Sequence, residues 1–449
     1  MINERVQVIG GGLAGSEAAW QLASRDIQVD LFEMRPVVQT GAHVSQDLAE
    51  LVCSNSLGSQ MDDRASGVLM HELGQLGSLL LDIAKQHAVP AGSALAVDRT
   101  GFSQAVSQAL IDHPNVRVIR REATELPQRP AIIATGPLTS PAMAEALSAV
   151  TGGDHLYFYD ALSPIVEFDS IDMNVAFRAS RYGRGDLERG DYINCPLNEA
   201  QYKNFVNQLL SAERIPLRQF EQEIQEGVRA GMHNYFEGCL PVEVIAERGE
   251  QALAFGPMRP VGLTDPNSGK QPYAVVQLRQ DDLAGNLYNL VGFQTNLRFP
   301  EQRRVLRLIP GLTEANFARY GQMHRNTFIN APEVLAPTLQ VRANPNLFMA
   351  GQITGVEGYL GNIATGLLAG INMAKYVRAD PLWQLPAETM LGALMQYITQ
   401  ADPAHFQPMK ANMGILPDLG VHRPRQRRDR AVAYAARARA VMAQFQTNN

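Results

Sequence analysis

Val-Gln-Val-Ile-Gly-Gly-Gly-Leu-Ala-Gly, residues 6–15, sets the fold class of this chain. The residues before the glycines predict a short buried strand, and residues 16–24, which contain no helix breaker, predict a helix. Residues 28–32 predict a second strand, followed directly by Glu33. A strand, a glycine turn, a helix and a second strand within about 30 residues are typical of a Rossmann-type unit. We therefore predict an α/β fold with a parallel sheet.

The glycine pattern Gly10-x-Gly12-x-x-Gly15 is typical of a turn that places a dinucleotide pyrophosphate on a helix N-terminus. The first glycine permits the tight turn, the second lets the pyrophosphate approach the backbone, and the third lets helix and strand pack closely. Glu33 follows Gly15 by 18 residues and is placed to accept hydrogen bonds from a ribose. A glycine turn with a surface glutamate is the plainer alternative. The residues predicted to bind the cofactor here are Gly10, Gly11, Gly12, Leu13, Ala14, Gly15, Glu33 and Arg35.

Two later segments favour FAD over a nicotinamide dinucleotide. Residues 131–136 and residues 346–352 each form an apolar run that ends in a glycine turn, as strands that contact FAD do in large flavoproteins. A flexible loop is the alternative interpretation of the second, glycine-rich segment. The chain has no second GxGxxG, so NADH or NADPH would be a transient reductant that enters through the substrate opening and leaves. The flavin contacts predicted in these segments are Thr135, Gly136, Gly351, Gln352, Gly358 and Gly361.

The composition of the 449 residues excludes several classes of protein. Hydrophobic residues make up 45% and charged residues 19%, which excludes disorder, collagen and coiled coil. The three cysteines form no CxxC pair and no zinc-type cluster, so we predict no metal site and a cytoplasmic location. We expect no membrane contact, because the chain shows no signal peptide and no run of about 20 apolar residues.

The texture of the sequence changes twice along the chain. From residue 197 a helical stretch leads into a segment punctuated by glycine and proline, and a strand-turn-helix pattern returns near residue 346. We predict a glutathione-reductase-type, Rossmann-like FAD-binding domain made of residues 1–196 and 319–449. A smaller α+β insertion domain of residues 197–318 would interrupt it.

Charge is distributed unevenly between the body of the chain and its C-terminus. Eight basic and two acidic residues give residues 410–449 a net charge of +6, which leaves −12 for the first 409 residues. A basic end on an acidic body favours a surface that faces a polyanion, although residues 427–442 are also typical of a solvated helix. The arginines predicted to contact such a substrate are Arg425 and Arg427, together with Arg178, Arg181 and Arg184.

Cys53 and Cys239 are the candidate catalytic thiols. Cys53 lies in a Ser/Asn-rich turn, and such turns often precede a helix N-terminus, where a thiol is activated by a lowered pKa. A small buried hydrophobe is the ordinary role of a free cysteine and is the role expected of Cys195. His43 and His324 are candidates for pairing with a substrate or tuning a thiol, with a surface or core imidazole as the alternative.

Several segments together resemble a known family of flavoproteins. The chain is similar to the folate- and FAD-dependent methylenetetrahydrofolate–tRNA-(uracil-5-)-methyltransferases, which are related to GidA. The similarity extends from Val6 to about Ala374. The segments that carry the resemblance are residues 8–19 (VIGGGLAGSEAA), 33–36 (EMRP), 51–57 (LVCSNSL), 238–243 (GCLPVE), 257–263 (PMRPVGL) and 351–359 (GQITGVEGY).

The resemblance implies a reaction that uses these residues. FAD, reduced by NADH or NADPH, would pass a one-carbon unit from methylenetetrahydrofolate to carbon 5 of the T-loop uridine of tRNA, position 54. Cys53 and Cys239 match the family's two catalytic positions, one to activate uracil by adding at carbon 6 and one to act as a base or stabilise the intermediate. Which thiol has which role stays open.

Two other functions remain as alternatives. One is a flavin-dependent NAD(P)H oxidoreductase that acts on a small molecule, and the other is a non-catalytic flavin-containing module that binds tRNA. The two thiols and the glycine-rich flavin contacts favour the methyltransferase, because a binding module needs neither. The sequence leaves the oligomeric state and the choice between NADH and NADPH open.

Overall fold

The computed structural model describes residues 5–40, 42–151, 156–183, 190–215, 240–420 and 424–448, without the side chains of residues 156–161, 183, 323–325 and 448. The strands are β1 (Val6–Ile9), β2 (Val29–Glu33), β3 (Ser56–Ser59), β4 (Ala88–Val89), β5 (Ala94–Val97), β6 (Val116–Arg120), β7 (Ala131–Ile133), β8 (Leu156–Ala161), β9 (Ile165–Glu167), β10 (Phe177–Ala179), β11 (Tyr192–Leu197), β12 (Ala274–Gln280), β13 (Leu287–Leu290), β14 (Phe317–Arg319), β15 (Met323–Phe328), β16 (Gln340–Val341), β17 (Asn344–Met349), β18 (Val356–Glu357) and β19 (Met409–Lys410). The α-helices are α1 (Leu13–Ala23), α2 (Ala65–Gln75), α3 (Leu79–Gln86), α4 (Arg99–Ile111), α5 (Pro141–Thr151), α6 (Glu199–Leu210), α7 (Val242–Glu247), α8 (Ala252–Phe255), α9 (Phe299–Leu306), α10 (Ala331–Val334), α11 (Tyr359–Val377), α12 (Met390–Gln400) and α13 (Arg427–Asn448).

A parallel sheet carries the glycine motif. Its strand order is β16-β17-β7-β1-β2-β6, and every neighbouring pair is parallel except the edge pair β16 and β17. The carboxyl ends of β1, β7 and β17 therefore meet at one edge, where each strand runs into a glycine turn. The predicted α/β fold with a Rossmann-type parallel sheet is confirmed.

A second, antiparallel sheet has the strand order β10-β11-β12-β13-β9-β14. It has its own core, in which Phe205 of α6 packs with Leu278 and Phe293. Strands β9 and β10 precede the predicted boundary at 196/197 and β11 spans it, yet all three belong to this sheet, so the hydrogen bonding crosses that boundary. The division of the chain into domains stays a prediction.

Helices α1 and α11 pack against each other without side chains between them at two points. A Cβ atom at Gly366 would lie 2.2 Å from the carbonyl oxygen of Ala14, and one at Gly370 would lie 2.8 Å from that of Ala18. Helix α11 is buried from Leu360 to Ala374. This close contact fixes the N-termini of the two helices relative to each other.

The C-terminal helix α13 is attached to the parallel-sheet part of the molecule. Ala435, Ala438 and Met442 belong to the same hydrophobic core as the sheet. Arg439 forms an ion pair of 3.1 Å with Asp62, and Phe445 packs edge-on against Trp383. Nowhere in the described ranges is there a helix with the length and apolar character needed to cross a membrane.

Candidate active site

A deep cavity, which we call the dinucleotide cleft, lies at the carboxyl edge of the parallel sheet. It encloses about 990 Å³ of empty space, part of it open to solvent, within the usual size range of ligand sites. The glycine turns after β1, β7 and β17 all contribute to its walls. The lining residues are 9–14, 32–35, 121–123 and 134–140, with His43, Glu50, Val52, Met143, Gly351, Gln352, Tyr359 and Asn362.

The N-terminus of α1 opens into this cleft without a side-chain cap. Its N-cap residue is Gly12, and the first turn contains no acidic residue. A Cβ atom at Gly12 would meet no heavy atom within 4 Å, so the glycine faces open space. Free amides and the positive end of the helix dipole favour an anion at such a point, and the space above Gly12 would admit a pyrophosphate.

Gly10 and Gly15 have structural reasons to be glycine. Gly10 has φ +104°, and a Cβ atom there would lie 2.4 Å from the carbonyl oxygen of Ala134. A Cβ atom at Gly15 would lie 1.8 Å from the carbonyl oxygen of Gly10. These two positions therefore shape the turn and the contact of helix with strand, while Gly12 leaves room for a ligand.

Glu33 lies at the end of β2, inside the cleft, and is held by hydrogen bonds. Its carboxylate accepts from the amide of Gly11 at 3.0 Å and from the amide and guanidinium of Arg35 at 2.9 Å each. Burial by itself raises the pKa of Glu33, but the hydrogen bonds and charge of Arg35 and the amide of Gly11 lower it below its usual value. Glu33 is thus a buried, ionised hydrogen-bond acceptor at the position expected of the residue that binds a ribose. Arg35, also buried, pairs in addition with Glu50 at 2.9 Å.

The remaining predicted flavin contacts fall at two places. Thr135, Gly136, Gly351 and Gln352 line the dinucleotide cleft. Gly358 and Gly361 do not: they lie at the start of α11, where Gly358 has φ +80° and a Cβ atom at Gly361 would contact Val356 at 2.7 Å. Gly358 is the N-cap of α11 and also lacks a side-chain cap.

Cys53 lines a second cavity, the thiol chamber, which adjoins the dinucleotide cleft. The chamber encloses about 730 Å³ of empty space and is lined by Ala42, Val52, Cys53, Ser54, Ser56, Pro137, Leu138, Leu162, Asn326, Gln352, Glu357, Gly358, Tyr359 and Asn362. Six of these residues also line the dinucleotide cleft: Val52, Pro137, Leu138, Gln352, Tyr359 and Asn362. A group bound at the end of the cleft would therefore be next to the space that Cys53 faces.

The backbone around Cys53 is held by Tyr359, the first residue of α11. The amides of Cys53 and Ser54 donate to the Tyr359 hydroxyl at 2.8 Å and 3.0 Å. Burial and the neighbouring charge of Cys53 raise the pKa of Tyr359, so its hydroxyl stays protonated. The short strand β3 follows Cys53, so the turn that contains the cysteine does not lead directly into a helix. The nearest helix N-terminus that borders the chamber is that of α11.

The other two cysteines of the chain are Cys195 and Cys239. Cys195 is fully buried in β11, and burial raises the pKa of its thiol to about 12, so it is inert at neutral pH. Cys239 lies outside the described residues, and its catalytic role stays a prediction.

A broad surface cleft, the basic cleft, meets the thiol chamber at Glu357, Gly358 and Tyr359. It encloses about 2580 Å³, much of it open to solvent. Five basic and three acidic residues line it, and Arg427 and Arg428 at the start of α13 are exposed. Its lining residues are 57–59, 63–66, 357–361, 410–414, 416, 418, 427, 428, 430, 431 and 434. The lining residues of the basic cleft thus have a net charge of +2, and the cleft adjoins the chamber that Cys53 lines.

The predicted substrate contacts are dispersed. His43 lines the dinucleotide cleft, where its ring nitrogen Nδ1 lies 2.5 Å from the Thr40 hydroxyl. Arg178 lies in β10 and Arg181 lies just after it. They bond to Tyr288 and Gln277 of the second sheet, at 2.9 Å and 2.8 Å. Neither lines the three cavities. Arg425 is exposed next to the basic cleft, which Arg427 lines. Arg184 and the side chain of His324 lie outside what the structure describes.

Several residues at the site carry no local sequence signal that would have identified them. Residues 121–123, which follow β6, line the dinucleotide cleft. Arg99 donates to the carbonyl oxygens of Leu51 and Cys53. Tyr359 closes one of the family-like segments, and that was the one available signal for it.

Comparisons with known proteins agree with this arrangement. A family model described as glucose inhibited division protein A matches residues 5–381. A protein named methylenetetrahydrofolate--tRNA-(uracil-5-)-methyltransferase TrmFO, from Heliobacterium modesticaldum, is 52% identical over 445 residues, covering 99% of this chain and 98% of that protein. The chain belongs to the TrmFO branch of this family. The resemblance inferred from the sequence is confirmed.

Other TrmFO relatives and a solved structure support the same placement. The TrmFO protein of an Exiguobacterium species is 54% identical over 446 residues and covers 99% of both chains. The crystal structure of Aquifex aeolicus GidA has a TM-score of 0.67 at 15% identity, over 98% of this chain and 76% of that one. At that identity the GidA structure supports the fold alone.

Proposed function

We propose that this chain is a folate- and FAD-dependent tRNA methyltransferase that forms 5-methyluridine at the T-loop uridine, position 54. Methylenetetrahydrofolate would be the carbon donor and NADH or NADPH the reductant. The observation that carries the proposal is the position of Cys53, in a chamber that shares lining residues with the dinucleotide cleft and with the basic cleft. A cytoplasmic location stays a prediction.

The dinucleotide cleft suits FAD. The uncapped N-terminus of α1 would hold the pyrophosphate over Gly12, and the ionised Glu33 would accept hydrogen bonds from the ribose. Gly136 and Gly351 would let the backbone approach the rest of the cofactor. Bound and reduced FAD would supply the transfer and reduction of the one-carbon unit.

The thiols would supply the activation of uracil. Carbon 5 of uracil becomes nucleophilic only when a thiolate has added to carbon 6, and a proton must later leave carbon 5. Cys53 and Cys239 would divide these two roles. The thiol that adds to carbon 6 must do so as a thiolate.

The basic cleft would bind the RNA. Its arginines at the start of α13 can contact phosphates, which gives affinity without sequence preference and a strong salt dependence. The target base must leave its stack to reach Cys53, at a cost of a few kcal/mol. The cleft adjoins the thiol chamber at Glu357, Gly358 and Tyr359, so a base turned out of RNA bound there would lie close to the space that Cys53 faces.

The test is a transfer assay with label in the methylene carbon of methylenetetrahydrofolate. Unmodified tRNA transcript, NADH or NADPH and the purified full chain are incubated, and the nucleosides are identified after digestion. We expect label in 5-methyluridine with the parent chain and the control variant Cys195→Ala, and none with Cys53→Ala. A transcript with cytidine at position 54 should stay unlabelled.

Two results would contradict the proposal. Label at another position would move the target, and no label from a yellow, reducible protein would exclude methyl transfer to this RNA. Rapid NADH oxidation with a small acceptor, unaffected by Cys53→Ala, would then favour the small-molecule oxidoreductase.

A further inference from the structure

The loop that carries Cys53 is held on both sides of the cysteine by one guanidinium group. Arg99 donates through Nη1 to the carbonyl oxygen of Leu51 at 2.9 Å and through Nη2 to that of Cys53 at 3.3 Å. With the Cys53 amide bound to Tyr359, the peptide groups before and after the cysteine are both fixed. The direction of the thiol therefore depends on where Arg99 sits.

Arg99 is in turn held by the second sheet. It is the first residue of α4, on the parallel-sheet side of the molecule, and its Nε lies 3.0 Å from the carboxylate of Asp281, which follows β12. Asn289 of β13 donates to the same carboxylate at 3.0 Å. The Arg99 and Asp281 side chains are 13% and 5% exposed, so this ion pair is nearly shielded from water.

A second residue of the loop, Asn55, is tied to the same sheet. Its amide nitrogen donates to the carbonyl oxygens of Val97 and Gln280 at 3.0 Å and 2.9 Å. Its oxygen accepts from Arg279 at 2.8 Å and from Asn289 at 3.2 Å. Asn55 is fully buried and every polar atom of its side chain is bonded, so the loop cannot shift without breaking contacts to β12 and β13.

Charged groups of both signs lie around this network. Arg99 and Arg279 are both buried or nearly so, and Asp281 is the carboxylate that bonds into the network. At its rim, Arg319 donates to the carbonyl oxygen of Ala42, a chamber residue, and Glu357 lines the chamber itself, which adds one charge of each sign. Arg99, which bonds to the Cys53 carbonyl oxygen, places a guanidinium group next to the cysteine.

The titration of Arg99 agrees with this arrangement. Burial alone would lower the pKa of Arg99, but the charge of Asp281 and the hydrogen bond to it raise the pKa, so the guanidinium stays charged. A buried cation with one carboxylate partner is strongly stabilised by a second anion, because the low dielectric strengthens the interaction.

We propose that Arg99 is a positioning residue that holds the Cys53 thiolate toward the chamber, and that Asp281 on the second sheet keeps Arg99 in place. The inference rests on the proposed function in so far as that function uses the Cys53 thiolate. It adds that the second sheet, which contributes no strand to the dinucleotide cleft, controls the reactivity of the thiol.

The test measures alkylation of Cys53 by iodoacetamide from neutral to alkaline pH, with the full chain as purified and the Cys53 peptide quantified by mass spectrometry. For Arg99→Gln we expect the rate at neutral pH to fall about tenfold, the effect of losing one opposite charge, and to approach the parent rate at alkaline pH. Arg99→Lys keeps the charge and should recover part of the rate. Arg117→Gln, which removes an exposed arginine remote from Cys53, should leave the rate unchanged.

A double variant separates positioning from folding. Arg99→Gln alone leaves Asp281 as a buried carboxylate without its ion-pair partner, bonded to Asn289, whereas Arg99→Gln with Asp281→Asn removes both charges and should be more stable to heat. We expect the double variant to stay slow in alkylation although it is better folded. Recovery of the parent rate in the double variant, or a parent-like pH profile in folded Arg99→Gln, would overturn the inference. Alkylation needs neither RNA nor folate, so these results stand whatever the transfer assay shows.

Discussion

Replacing Gly366 by alanine tests the contact that brings α11 against α1. A Cβ atom at residue 366 would lie 2.2 Å from the carbonyl oxygen of Ala14 and 2.8 Å from its Cα. Both are backbone atoms, so no side-chain rotation relieves the overlap. The helices would have to separate by about 1 Å before these atoms reached ordinary van der Waals distance.

We expect Gly366→Ala to lower the free energy of unfolding by about 3 kcal/mol, the upper part of the range for overpacked cores. The effect should extend to the cofactor, because the N-termini of the same two helices border the dinucleotide cleft at Gly12 and Tyr359. Flavin bound per chain, measured from its visible absorbance, should therefore fall together with stability.

The matched control is Gly74→Ala in α2. A Cβ atom there would lie 3.9 Å from Leu81 and from Lys85, which are ordinary contacts. Removing a helical glycine without strain should raise stability by about 0.5–1 kcal/mol. The two variants and the parent are compared by urea unfolding. A Gly366→Ala protein as stable as the parent, with full flavin content, would refute the reasoning.

Three further variants test other parts of the molecule. Gly12→Ala should leave the melting temperature of the flavin-free protein unchanged, since the added Cβ meets open space. Its affinity for FAD, measured by titration, should be at least about tenfold weaker, because the methyl group excludes the pyrophosphate. The double variant Arg427→Gln, Arg428→Gln should bind tRNA more weakly. The slope of log affinity against log salt concentration should fall by about 0.7–0.9 for each phosphate that the variant no longer neutralises. An unchanged slope would show that these arginines do not contact the RNA. Burial raises the pKa of Glu72 from 4.5 to about 8, although it accepts from the amides of Met390 and Leu391. The folded state then binds the proton more tightly than the unfolded state, so this group's contribution is complete below about pH 4.5 and is lost as the pH rises through about 8. Melting temperatures of Glu72→Gln across this range should decline less with pH than those of the parent, and parallel curves would contradict the shift.

The glycine turns could be located from the sequence because their requirements are local. An apolar strand, a glycine that has no room for a side chain and a helix without breakers are all encoded within residues 6–24. The same pattern marks the ends of β7 and β17. These ends lie beside Gly10 because β1, β7 and β17 pair in parallel, although more than 100 residues separate each strand from the next in the chain. Only the general rules for α/β sheets predict such pairing.

The support of Cys53 could not be derived from the sequence. Asn55 and Arg279 bond to each other across more than 200 residues of chain, and neither lies in a pattern that indicates its partner. No helix follows directly after Cys53, for a related reason. Ser and Asn in the turn cap no helix of their own, because residues 56–59 pair with β5 instead. The boundary at 196/197 was drawn from a change of composition, whereas the sheet to which β9–β11 belong is decided by hydrogen bonding with β12 and β13.

The order of the parallel sheet has a consequence for how the protein is made. Strand β1 emerges from the ribosome first, yet the cleft beside it needs β17, which ends at Met349, and the start of α11 at Tyr359. A nascent chain that ends within the second sheet already contains the glycine turn after β1, but it lacks the residues after β17 and at the start of α11 that also line the dinucleotide cleft. The cofactor site therefore forms late in synthesis, after closure of a loop of more than 200 residues between β7 and β17. In cells short of flavin we expect fully synthesised chains to accumulate in which β17 and α11 pack less firmly against β7 and β1, because no cofactor stabilises the cleft. Such chains should be more sensitive to proteases.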